Sequence, residues 1–99
     1  MSPRRLDIHP AAADEVEAAL GWYRQRSLDA AQRFVLEVNE AIFKALEAPE
    51  RWPAYTRGTR HVKTPGFPLL VIYHVTETRV LILAVAHGSR EPNYWKNRL

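Results

Sequence analysis

The hydrophobic positions divide the chain into two helix-like stretches followed by three strand-like stretches. Residues 10–26 carry apolar side chains at helical spacing, with Glu15 and its acidic neighbours on the opposite, polar side. A second helix is predicted from Ser27 to near Glu47. Its apolar stripe consists of Ala31, Phe34, Val35, Val38, Ala41, Ile42 and Ala45. Helices joined by so short a turn predict an antiparallel hairpin.

Local signals place the starts of both helices. Pro10 fits the first helical position, because its fixed φ suits a helix and its missing amide hydrogen would lack a partner there. His9 is then the residue that caps this helix. Ser27 is predicted to cap the second helix.

The remaining pattern predicts strands. Residues 4–8 alternate weakly, and residues 60–64, 68–75 and 79–87 are rich in β-forming side chains. The run 80–86 is apolar at every position, so we expect it to be buried on both faces. The sequence therefore predicts an α+β fold of order β-α-α-β-β-β. In it a helical hairpin packs on one face of a mostly antiparallel sheet of three or four strands.

The composition is that of an ordinary globular protein. The chain has 99 residues, 46% hydrophobic and 25% charged, and we expect one domain over residues 1–99. Cysteine is absent from the sequence, which excludes disulfides and thiolate chemistry. We see no signal peptide or membrane-spanning run, and therefore expect a cytoplasmic protein. The four histidines have no ligand spacing, so the sequence predicts no metal and no cofactor.

Charge is distributed unevenly along the chain. Residues 1–50 carry six Lys/Arg and nine Asp/Glu, a net −3, whereas residues 51–99 carry eight and two, a net +6. A basic half beside an acidic half indicates a surface for an anionic partner, such as nucleic acid, an acidic protein segment or a phosphate. The alternative is that the helices simply carry solvated acidic faces.

A cluster of polar side chains follows the buried strand directly. His87, Arg90 and Tyr94 supply an imidazole, a guanidinium and a phenol within eight residues. These groups suit proton transfer, phosphate binding or contact with a partner. We expect the imidazole and the guanidinium to share one positively charged hollow. The structural alternative is that His87 satisfies a backbone group and that Arg90 pairs with Glu91 or a helical acid.

Several short motifs in order give the chain a family resemblance. They are PAAADE from Pro10, AAQRF from Ala30, PERWP from Pro49, GFP from Gly66, VIY from Val71 and VAHGSREPNYW from Val85. Together with the element order, they resemble the RelE/ParE superfamily of toxins from bacterial type II toxin–antitoxin (plasmid stabilisation) systems. The resemblance covers almost the whole chain and implies a cognate antitoxin whose extended or helical tail wraps the toxin.

The resemblance implies one of two actions. RelE-like members cut messenger RNA on the ribosome, whereas ParE-like members poison DNA gyrase and are not known as nucleases. In an RNA-cleaving member, His87 would be the acid or base, with Arg90 and Tyr94 as the other catalytic groups. Arg60, Lys63 and Arg90 would bind phosphate or the target, although strand alternation puts Arg60 and Lys63 on opposite faces.

Two observations favour the ParE-like branch. The chain has only three lysines, fewer than a ribosome-binding nuclease would carry, and its HGSR ending is more similar to ParE-like members. Trp22, Phe67 and Trp95 are predicted to be exposed and to bind the antitoxin. For Trp95, as for Trp52, the alternative is a side chain that covers an edge of the core. A third interpretation is a relative that binds a partner without toxicity, which Ser89 favours because many relatives have a basic residue there.

Overall fold

Strands and two long helices form most of the computed structural model, which describes residues 4–91 and 93–99. The elements are β1 (Arg5–Ile8), α1 (Pro10–Arg26), α2 (Leu28–Glu47), β2 (Arg60–Lys63), β3 (Leu69–Val75) and β4 (Arg79–His87). Short 3₁₀ turns cover Thr56–Gly58 and Lys96–Arg98. Pro92, part of the terminal motif, and residues 1–3 lie outside the described residues.

Both predicted helix starts are confirmed. The His9 ring accepts a hydrogen bond at Nδ1 from the Ala11 amide (3.1 Å), just before Pro10. Ser27 alone separates the helices, in an extended conformation with φ −164°. Its side-chain oxygen accepts from the Ala30 amide at 3.1 Å. This single residue turns the chain so that α2 packs against α1.

The sheet has the strand order β1-β4-β3-β2. The last three strands form the predicted antiparallel meander, while β1 pairs in parallel with β4, with Leu6 opposite Val80. A β-bulge between Ile72 and Tyr73 shifts the register of β3 against β4. The predicted α+β fold is confirmed, and the parallel strand makes the sheet mixed.

The helical hairpin covers one face of this sheet. Phe34 and Val38 of α2 are almost fully buried there, against Val71 and Tyr73 of β3. The Tyr73 hydroxyl donates a hydrogen bond to the Pro49 carbonyl (2.5 Å), and burial raises the pKa of Tyr73 to about 12. This core fixes α1 and α2 relative to the strand ends that form the site.

The C-terminal segment, residues 93–99, covers part of the other face. Trp95 is only 1% exposed and packs with the buried residues of that face, which are Ile72, Leu81, Leu83, Ala84 and Ala86. The prediction that Trp95 is exposed is therefore wrong, and the alternative that it covers part of the core is confirmed. Because β4 is buried on both faces and the helices cover only one, the segment after β4 supplies the second cover.

Within the described ranges 4–91 and 93–99, neither helix combines the length and the apolar character needed to cross a membrane.

Candidate functional site

A cavity of about 360 Å³ lies where the end of β4 meets α1. The side chains of His87 and Arg90 line it together with Trp22. Its remaining lining residues are Glu15, Ala18, Ala19, Tyr23, Leu69 and Val85. The imidazole of His87 and the guanidinium of Arg90 thus border one hollow. Its walls are largely apolar, so polar contacts are concentrated in a few side chains.

The His87 ring is held by the turn that follows β4. Its Nδ1 accepts a hydrogen bond from the Ser89 amide at 3.1 Å and lies 2.6 Å from the Ser89 hydroxyl oxygen. Because a main-chain amide can only donate, this network assigns the proton of the neutral ring to Nε2. In this tautomer the free nitrogen of His87 donates a hydrogen bond and does not accept a proton.

Arg90 and Tyr94 form a stacked pair beside the cavity. The Arg90 guanidinium carbon lies 3.9 Å from the centre of the Tyr94 ring, a cation–π geometry. The Tyr94 hydroxyl donates to Oε2 of Glu15 at 2.5 Å. Burial, followed by the hydrogen bond to Glu15, raises the pKa of Tyr94 well above its ordinary value. The phenol is therefore a weak acid that is already engaged.

Glu15 is the centre of a polar network that sequence reasoning missed. Its carboxylate accepts from the Val85 amide (3.1 Å), from Tyr94 and from both terminal nitrogens of Arg98 (3.0 and 3.3 Å). The Glu15 and Arg98 side chains are only 17% and 18% exposed. Glu15 lies on the side of α1 predicted to face solvent, and nothing in helical periodicity shows that the chain end returns to cover it.

The edge of β4 explains why these two side chains meet. The parallel pairing of β1 ends at Ile82, so the backbone of β4 beyond that point lacks a strand neighbour on this side. The Val85 amide donates instead to Glu15, and the Leu83 carbonyl accepts from Arg98 at 3.0 Å. Side chains thus replace the missing strand, because buried backbone polar groups require partners.

Charge in the site is carried by Arg90. The Arg98 guanidinium is paired with Glu15. Arg90 forms no ion pair with any residue in the described part of the chain, although Glu91 and the helical acids were alternatives. Its guanidinium is therefore available to an anionic group at the cavity.

The aromatic residues predicted to bind the antitoxin are placed differently from one another. Trp22 is 51% exposed at the cavity, with the Arg26 guanidinium carbon 3.7 Å from its ring centre. Phe67 is half-buried against Tyr23, with ring centres 5.0 Å apart. Trp95 is buried on the face of the sheet that the helices do not cover. Of these three, Trp22 offers the large accessible surface.

Arg60 and Lys63 are not among the residues that line this cavity. Arg60 donates a hydrogen bond from Nη1 to the Trp52 carbonyl at 2.7 Å. Part of its guanidinium is therefore engaged by the backbone of the same chain. Lys63 is exposed and lines a different hollow with Leu70 and Gly88. The structure therefore brings together His87, Arg90 and Trp22 around one cavity, whose lining includes neither Arg60 nor Lys63.

The part of the chain that the structure describes contains no group of three or more His, Cys, Asp or Glu residues that could hold a metal ion.

Comparisons with known proteins agree with this architecture. The family model described as ParE toxin of type II toxin-antitoxin system, parDE, matches residues 6–92. Two curated relatives named Toxin ParE2, from Mycobacterium tuberculosis strains CDC 1551 / Oshkosh and ATCC 25618 / H37Rv, are each 30% identical over 91 residues. That alignment is 91% of this chain and 87% of each relative.

The fold is similar to that of a solved structure described as the chromosomal ParDE TA system from P. aeruginosa. The TM-score is 0.74 at 17% identity, covering 85% of this chain and 95% of that chain. The superfamily resemblance of the motifs is thus confirmed, and the chain belongs to the ParE family of type II toxin–antitoxin toxins.

Proposed function

We propose that the protein inhibits growth in the cytoplasm by poisoning DNA gyrase and that a cognate antitoxin neutralises it. The observation that carries this proposal is the cavity that joins His87, Arg90 and Trp22. ParE-like members of the superfamily poison gyrase, and this cavity offers a guanidinium, a hydrogen-bond donor and an aromatic surface. Such a set suits binding to a large partner.

The contacts of the site favour binding over RNA cleavage. Cleavage through a 2′-hydroxyl needs a group that accepts its proton, and Nδ1, the nitrogen of His87 that carries the lone pair in this tautomer, is occupied by the Ser89 amide. Tyr94 is bonded to Glu15, and its pKa is raised, so it is poorly matched to donating a proton at neutral pH. Arg60 and Lys63 also lie outside the cavity, which leaves a small cationic surface for a phosphate backbone.

The target is tested with purified gyrase and supercoiled plasmid. The chain is expected to accumulate cleaved DNA–gyrase complexes, and Arg90→Ala to need about tenfold more protein for the same effect. Arg51→Ala is the matched control, because Arg51 is an exposed arginine outside the cavity. Absence of gyrase complexes, combined with codon-positioned cuts in primer extension, would instead establish an RNA-cleaving toxin.

Growth assays distinguish a toxin from a relative that binds a partner without toxicity. Induction without antitoxin is expected to arrest growth and give filamentous cells with DNA-damage signalling. Arg90→Ala and His87→Ala are expected to fold and to permit growth. A parent chain that folds but never arrests growth would be a partner-binding relative without toxicity.

The antitoxin is expected to contact Trp22 with an acidic, amphipathic segment. Trp22 supplies an accessible aromatic surface beside the charged Arg90, and apolar contact with charge complementarity suits such a segment. Trp22→Ala should weaken the affinity for the antitoxin encoded beside this chain by about tenfold or more. Phe43→Ala is the control, since Phe43 is similarly exposed (55%) and lies outside the cavity. Equal affinities of the two variants would contradict this assignment.

A further inference from the structure

We infer that Glu15 is a positioning residue, which holds the Arg90 guanidinium at the cavity through the ring of Tyr94. This inference deepens the proposed function and relies on it only for the growth readout. Its spectroscopic readout stands independently of which target the protein binds.

The first step is the fixation of Glu15 itself. The carboxylate is mostly buried and is held from two directions, by the Val85 amide of β4 and by the Arg98 guanidinium near the chain end. Its Oε1 atom accepts from Val85 and from Arg98, and Oε2 accepts from Tyr94. A carboxylate bound on both oxygens has little rotational freedom, so it is a fixed point for the hydroxyl that it holds.

Tyr94 in turn restricts the position of the Arg90 side chain. The Tyr94 hydroxyl is bound to Glu15, and this contact sets the orientation of the ring. Arg90 lies over that ring at 3.9 Å, and Arg98 also approaches it at 5.1 Å. Arg90 itself is exposed in a turn and makes no ion pair with any other described residue. The Tyr94 ring is therefore the main surface that limits where the Arg90 side chain can point.

A purely structural role for Glu15 makes a different prediction. If Glu15 served only to complete the edge of β4, removing its charge would lower stability and leave the surroundings of Arg90 unchanged in the folded protein. A positioning role requires the Arg90 guanidinium to move in molecules that remain folded. The surroundings of the Arg90 Nε–H group are therefore the measurement that separates the two roles.

The test compares Glu15→Gln and Tyr94→Phe with the parent by NMR of the arginine Nε–H groups, with Arg90→Lys used to assign the signal. In the parent, the aromatic ring current should shift the Arg90 Nε–H proton upfield. Tyr94→Phe keeps the ring but removes its bond to Glu15. Glu15→Gln replaces one acceptor oxygen by an NH2 group, so the side chain can no longer accept hydrogen bonds on both sides as the carboxylate does. In both variants, the signal is expected to move toward that of a freely exposed arginine.

Glu17→Gln is the matched control, since it removes the same charge from an exposed position on the same helix. It should leave the Arg90 signal and growth arrest at parental levels. For the two test variants, the inducer concentration needed to arrest growth should rise about tenfold at an unchanged amount of folded protein.

The inference is overturned if a folded test variant keeps the parental Arg90 signal. If the signal moves while growth arrest keeps its full strength, the positioning of Arg90 by Glu15 is supported and the role of Arg90 in toxicity is overturned. If Glu15→Gln fails to fold, Tyr94→Phe decides the question, because it leaves the Glu15–Arg98 pair and the Val85 contact in place. A parent that never arrests growth refutes the proposed function alone, and the NMR comparison then decides whether Glu15 positions Arg90.

Discussion

At the scale of single residues, burial changes the chemistry expected of side chains near the sheet. Glu15 and Trp95 show this most clearly, because a helical acid and a terminal aromatic residue both became interior groups. The burial of Glu15 could not be predicted from local pattern, and for Trp95 the sequence left exposure and burial as alternatives. Their burial depends on the path of residues 93–99, and that path has no periodicity from which to infer it. His87 and Arg90 were predicted to share a cavity because they follow a strand whose apolar run is unambiguous.

His61 is a titratable residue on the sheet face that lies away from the helices. Its ring meets Tyr55 edge-on, with ring centres 5.1 Å apart. Its Nδ1 atom is buried without a hydrogen-bond partner among the described residues. Burial, and secondarily the charge of Lys63, lowers the pKa of His61 below 6.5. The folded protein therefore favours the neutral ring.

This lowered pKa predicts an acid-sensitive contribution to stability. The unfolded chain binds the proton more readily, so the contribution is complete above about pH 6.5 and is lost as the pH falls through the lowered pKa. Between about pH 7 and pH 5, His61→Leu should therefore lose less free energy of unfolding than the parent. Urea unfolding of both proteins across this range measures the difference. Parallel losses would show that His61 is equally basic in the two states.

At the scale of elements, the helices and the meander were predicted because their signals are local. Pro10, Ser27 and the apolar stripe of α2 each act within a few residues, and the β4 bounds Arg79–His87 agree with the sequence pattern. The partner of β1 could not be predicted, since pairing between Leu6 and Val80 depends on the path of the whole intervening chain. The side chains that complete the β4 edge were missed for the same reason.

Ser27 is expected to matter more than its exposed position suggests. Its amide donates to the Tyr23 carbonyl at 2.8 Å, and its side chain caps α2, so one residue closes one helix and opens the next. Ser27→Ala should lower the free energy of unfolding by about 0.5–2 kcal/mol, because the Ala30 amide loses its partner. Ser27→Asp should retain most of the stability, since a carboxylate also accepts at this position. A denaturant midpoint for Ser27→Ala equal to that of the parent would contradict this role.

At the scale of the whole molecule, two different parts of the chain cover the two faces of the sheet. The helical hairpin buries one face, and residues 93–99 bury part of the other around Trp95. The same terminal segment supplies Tyr94 and Arg98 to the network of Glu15. Stability and the shape of the cavity are therefore coupled through a short stretch of chain.

A chain that ends at Glu91 tests this coupling. Without residues 92–99, the side chains of Leu81, Leu83 and Ile72 lose the cover that Trp95 provides. Loss of a buried tryptophan alone costs about 3–5 kcal/mol, a large share of the stability of so small a domain. The truncated chain should bind the dye ANS and melt over a broad range, as measured by fluorescence and circular dichroism. A sharp transition without dye binding would show that the second face needs no cover.

The parallel pairing of β1 with β4 has a consequence for the timing of synthesis. A ribosome makes Leu6 early and its partner Val80 late, and Arg98 emerges later still. The nascent polypeptide thus carries both helices before it has a closed sheet. The network around Glu15, which lines the cavity, can therefore be completed only after Arg98 has left the ribosome, long after the helix that carries Glu15 has been made.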